Sequence, residues 1–116
     1  MTEQAIQQQI RLALSGPGVR MFRNNTGALR DINNRLVRFG LCEGSADLIG
    51  FRRLGLPSGE HVAQFVALEV KTATGRLSEQ QRRFLQMVNE HGGLAGVARN
   101  IEEARELLER GPPWLQ

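Results

Sequence analysis

Lysine is nearly missing from this chain: Lys71 stands alone beside fourteen arginines. Cysteine and aspartate are scarce too, with Cys42 the sole cysteine and Asp31 and Asp47 the only aspartates. One cysteine excludes an internal disulfide framework and an all-cysteine metal site. A reducing, cytoplasmic compartment is the expectation. No apolar run approaches the roughly 18–20 residues of a membrane span, so no membrane partner is expected. The N-terminus has no basic, then apolar, then small-residue signal pattern. Internal repeats, low-complexity tracts and linkers are absent. His61 and His91 have no mutual spacing suited to a zinc pair or an HNH-type site. Cys42 has no base near it in sequence and reads as inert.

The 116 residues suffice for one core, so a single domain over 1–116 is expected. Hydrophobic content of 41% and charged content of 23% are those of a globular chain. A net charge of +3 and a pI near 10.4 suit a polyanionic partner.

Periodicity predicts a first helix in "TEQAIQQQIRLALSG", capped by Thr2, with Ile6, Ile10, Ala13 and Leu14 on one stripe. "VRMFRNN" (19–25) and "RLVRFG" (35–40) read as strands joined by a polar loop holding Asn33 and Asn34. Strands follow at 46–53 and, most strongly, at 61–72. Ser78 and Gln81 match a capping box opening a helix whose Phe84, Leu85 and Val88 face the core. A short strand (94–99) and a last helix, capped by Asn100 and Glu103, complete the order. The late strand-helix-strand unit predicts a parallel pair with a right-handed crossover. The early strands suggest an antiparallel meander. Together these give an α/β fold: a mixed four- to five-stranded sheet flanked by helices. The tail "PPWLQ" offers Trp114 for packing on the domain or on a partner.

The lone lysine lies in "ALEVKT". Strand side chains alternate between faces, so Glu69 and Lys71 project from the same one. That spacing lets a carboxylate hold a metal while an ammonium reaches the same water. A charged end on a half-exposed strand is the plain alternative. Asp47, after "GSA" and before an apolar strand, is either a turn residue or a second acid close to Glu69. In the latter case the pair suits Mg²⁺, which takes one or two protein carboxylates and fills its octahedron with phosphate oxygens and waters. An ammonium can orient or deprotonate water, whereas a guanidinium keeps its proton.

"GSADLIG", "LEVKT" and "GRLSEQQ", in that order, resemble the PD-(D/E)xK nuclease superfamily and, more narrowly, its VRR-NUC branch. The resemblance runs from the first helix through "FRNNTG" to "GLAGVARN". Ala46 stands where the superfamily pattern has proline; the metal needs the carboxylate rather than that ring. The resemblance implies Asp47 and Glu69 as ligands of Mg²⁺ or Mn²⁺, the Val70 carbonyl as a further ligand and Lys71 as the catalytic lysine. Gln81 matches a glutamine near the active site, and Glu3 a first-helix glutamate that supports the metal. Asn24 or Asn25 would touch the substrate backbone or make a turn; Arg99 would reach a phosphate or end a strand in solvent.

The implied activity is a DNA endonuclease leaving a 5′-phosphate and a 3′-hydroxyl. Arg20, Arg23, Arg30, Arg35 and Arg38 would bind the DNA backbone. A non-catalytic DNA-binding or assembly module on the same fold is the rival reading. Small stand-alone forms of this family are typical of phages and prophages and act on branched DNA such as four-way junctions. A homodimer follows as an expectation, because Val19, Met21, Phe22, Val37 and Phe39 exceed what one small core needs.

Overall fold

The computed structural model describes residues 1–112; Trp114 and most of its tail lie outside them. Helix α1 (Glu3–Leu14) begins at Thr2, whose hydroxyl accepts the Ala5 N–H at 3.1 Å. It buries Ile6, Ile10 and Leu14. The chain then forms β1 (Val19–Arg23), β2 (Gly27–Arg30), β3 (Leu36–Phe39), β4 (Leu48–Gly55) and β5 (His61–Val70). Helix α2 (Glu79–Glu90), β6 (Leu94–Ala98) and α3 (Ile101–Leu108) follow. No helix among the described residues is long and apolar enough to cross a membrane.

The main sheet has the order β1-β4-β5-β6, antiparallel except for the β5–β6 pair that α2 bridges. Strand alternation divides its side chains between two cores. Val66, Leu68 and Val70 point to one face, under α1 and α3, where they meet Ile10, Leu48 and Leu107. Ala67 and Ala95 point to the other, and their small size lets Phe84, Leu85 and Val88 of α2 settle on the sheet. Helix α2 packs on β5 and β6. On the other half of this face Phe22 and Phe51 are 56% and 42% exposed, with Phe65 beside them at 40%.

The early strands depart from the expected meander. There are three before β4, and β1 pairs directly with β4. Strands β2 and β3 form a separate hairpin, and every residue of both is exposed, so no buried face ties them to the sheet. The carboxylate of Asp31 shapes the turn by accepting the N–H groups of Asn33 and Arg35 at 2.9 and 2.8 Å. Asn34 takes a left-handed conformation there, with φ of 60°. The surplus apolar residues divide accordingly. Met21 is buried and Val19 packs against the core, whereas Phe22, Val37 and Phe39 are bare.

Two features, one polar and one steric, lock the sheet. Arg52, buried on the α1/α3 face, donates to Gln64 Oε1 at 2.6 Å and to the carbonyls of Leu108 and Arg110. The last carbonyl of α3 and one just beyond it thus find a donor on β4, as helix ends require. Gly50 sits where β1 passes closest: a Cβ there would lie 1.8 Å from the Arg20 carbonyl oxygen. Gly50→Ala must therefore spread β1 from β4. We expect a loss of about 3 kcal/mol or more, at the upper end of overpacking costs, visible as a lower urea midpoint with an unchanged slope.

Candidate active site

The main sheet brings Asp47, Glu69 and Lys71 together at the ends of β4 and β5, on the face that carries α2. Asp47 immediately precedes Leu48, which pairs with Leu68. Its Oδ2 accepts the N–H of Val70 at 2.9 Å. Within an extended strand, N–H and C=O of one residue face the same neighbour. The Val70 carbonyl accordingly lies on the edge that faces Asp47. Lys71 falls one residue beyond β5, yet its N–H still bonds the Ala98 carbonyl at 3.2 Å. The strand geometry thus carries on far enough to hold its side chain beside Glu69, with Nζ 3.9 Å from Oε1.

Glu69 is 1% exposed. Its Oε1 accepts from Gln81 Nε2 at 3.3 Å, while Oε2 is buried with no hydrogen-bond partner. The Glu69 carboxyl is pushed up to about 8 from an ordinary 4.5, burial being the largest cause. The adjacent Asp47 contributes to this rise, by hydrogen bonding to the protonated acid and by its own charge, and Glu3 contributes less. Lys71 pulls the other way without prevailing. Two carboxylates this close do not both ionise readily unless a cation lies between them.

Gln81 serves two neighbours at once. Its Oε1 accepts the Ser78 N–H at 2.9 Å, completing the capping box of α2. Its Nε2 is the group that reaches Glu69. The cap and the contact with the acid are the same side chain, not alternatives. Glu3 is half-buried in the first turn of α1, and its charge reaches Glu69. Even so, no group of three metal-binding side chains forms among the described residues.

Other candidates lie elsewhere or act differently. Asn25 is exposed, whereas Asn24 is bound into the chain segment before Asp47. Arg99 is no free strand end: its Nη1 donates to the carbonyls of Thr72 and Gly75, fastening the turn that follows Lys71. His61 opens β5, far along the strand from Glu69, and contacts Arg53 at 3.2 Å. His91 caps α2 with Nδ1 2.8 Å from the Met87 carbonyl. Cys42 is exposed and free. Arg20, Arg23, Arg30, Arg35 and Arg38 are all exposed. Sequence reasoning missed Arg52 and the tethering roles of Asn24 and Arg99, because each depends on partners more than twenty residues away.

A mixed α/β sheet with helices on both faces and an acid pair at neighbouring strand ends is the architecture of a nuclease fold. The VRR-NUC domain family matches residues 2–100, and the chain belongs to that family, a nuclease family. No curated protein and no solved structure matches the chain.

Proposed function

We propose that the protein is a divalent-metal-dependent DNA endonuclease, selective for branched DNA and active as a homodimer. The observation that carries the reading is the buried Glu69 carboxylate beside Asp47, with its Oε2 unpartnered and an ammonium 3.9 Å from its Oε1. This donor set fits Mg²⁺ or Mn²⁺: hard oxygen ligands, excess negative charge and a buried oxygen lacking any donor. Asp47 and Glu69 would hold the cation, joined by the Val70 carbonyl. When bound, the cation supplies charge neutralisation at the phosphoryl group and acidifies water.

The chain's own residues supply the rest. Lys71 aligns the attacking water and takes up or offsets charge as the phosphorus is attacked. Gln81 holds Glu69 in one orientation from the start of α2. Glu3 adds negative potential that favours a cation. The exposed arginines bind phosphates without reading bases, which sets affinity and makes it salt-dependent. Support for a homodimer comes from the bare aromatic face of Phe22, Phe51 and Phe65, which a second copy would cover. Two-fold symmetry would then present two sites to the two strands of a four-way junction.

Purified protein incubated with linear duplex and four-way-junction DNA, with and without Mn²⁺, tests all of this. We expect Mn²⁺-dependent nicks bearing 5′-phosphate and faster cutting of the junction. Binding without cleavage in Mn²⁺ would favour a non-catalytic module. Equal cutting of both DNAs would remove the branch preference, and light scattering showing only monomer would remove the dimer.

A further inference from the structure

Asn24, the first residue after β1, places its backbone N–H and both ends of its side-chain amide on the segment that ends in Asp47. Its backbone N–H donates to the Asp47 carbonyl at 2.8 Å. Its Nδ2 donates to Ser45 Oγ at 2.7 Å and to the Ala46 carbonyl at 2.8 Å. Its Oδ1 accepts the Leu41 N–H at 3.1 Å. Ser45 continues the set by donating from Oγ to the Cys42 carbonyl at 2.6 Å. Residues 41–46 are thereby drawn into a closed loop whose far end, Ser45 and Ala46, is buried.

Beyond these bonds the loop is held where Ala46 packs into the core under α2. It descends from the exposed hairpin of β2 and β3, and it meets the first turn of α2 at Gly44, where a Cβ would lie 2.9 Å from Gln80 Cβ. The Asp47 backbone is fixed by Asn24 from the β1 side, and its carboxylate by the Val70 N–H from the β5 side. Both hydrogens of the Asn24 amide are engaged, so neither is left to contact a substrate. We infer that Asn24 is a positioning residue that sets the Asp47 carboxylate for its divalent cation. The inference rests on the reading of Asp47 as a metal-holding acid.

Groups that orient a metal ligand typically change metal affinity by about 10–100-fold when removed. Asn24→Asp keeps the shape and the acceptor but loses both amide donors, and Asn24→Ala loses everything but the backbone bond. Calorimetric titration of Mn²⁺ alone into each variant, without DNA, should show affinity lower by roughly tenfold or more. Saturating Mn²⁺ should recover much of the cleavage rate, while junction binding measured in Ca²⁺ stays at the wild-type level. Ser45→Ala, which removes one partner and leaves Asn24 in place, should show a smaller loss in the same direction and keeps the test alive if both Asn24 variants unfold.

Three results would overturn the inference. Wild-type Mn²⁺ affinity in folded Asn24 variants, with only a lower melting temperature, would leave Asn24 a merely structural residue. Weaker junction binding with unchanged Mn²⁺ affinity would make it a substrate contact. Undiminished Mn²⁺ binding by Asp47→Asn would remove the parent reading itself, and that control is read independently of any Asn24 variant.

Discussion

Glu69→Gln should abolish cleavage and yet stabilise the metal-free protein at pH 8. The folded Glu69 carboxyl titrates at about 8 and the unfolded one near 4.5. Below pH 4.5 both states hold the proton, and the stability tied to it is fully present. Between 4.5 and 8 the native state binds a proton that the unfolded state has released, so stability falls as pH rises. Above 8 the folded protein buries an ionised acid beside Asp47, at a cost on the order of a few kcal/mol. A neutral amide of the same shape carries no such term. The variant's thermal midpoint at pH 8 should exceed that of the wild type by roughly 5–10 °C, and its midpoint should lose most of the slope with pH.

Mn²⁺ should reverse the order. Ligand binding to the native state stabilises it by about 2.7 kcal/mol at one hundred times the dissociation constant, and only the wild type retains both acids. Cleavage by the variant should fall by about 10³-fold or more, since several kcal/mol of charge stabilisation leave with the cation. Scanning calorimetry across pH 4 to 9, with and without Mn²⁺, reads all of these effects. A lower midpoint at pH 8, or an unchanged pH slope, would show that another group is the buried acid.

Lys71→Arg conserves charge and should still cost about 10²–10⁴-fold in cleavage, the range for losing a general acid or base. The lysine stem is enclosed: a Cβ on Gly75 would lie 3.3 Å from both its Cβ and Cδ. Guanidinium is planar, broader and unable to give up a proton, so it cannot occupy the same point beside Glu69 or do the same chemistry. Mn²⁺ affinity should stay within a few-fold of wild type, which separates this variant from Asp47→Asn. Single-turnover cleavage at saturating Mn²⁺, paired with a thermal melt to establish folding, measures the effect. Near-wild-type cleavage would reduce Lys71 to a passive charge.

Much of this arrangement was legible in local sequence because helix caps and strand alternation are local phenomena. Thr2, Ser78 with Gln81, and Asn100 mark the helix starts that the structure shows. Alternation in residues 66–70 places Glu69 opposite the α1/α3 core, and the strand-helix-strand order gives the parallel pair of β5 and β6. The early hairpin was legible only in part. With all of β2 and β3 exposed, there is no burial alternation to reveal that they leave the sheet. Asn24 and Arg99 read as polar residues near strand ends and Arg52 carried no reading at all; what each does is set by carbonyls and hydroxyls brought near only by folding. The nearness of Asp47 to Glu69 belongs to both kinds: the residue types point to it, but the register of β4 against β5 produces it.

Position 81 carries a chemical choice that follows from its two neighbours. A capping box accepts glutamine or glutamate at its third residue with equal ease, since either offers an oxygen to the Ser78 N–H. Only the amide has, in addition, a donor to offer the Glu69 carboxylate. Glutamate at 81 would keep α2 well started while setting a third anion against an acid that already resists ionisation. The helix alone tolerates both residues, and the acid beside it tolerates one.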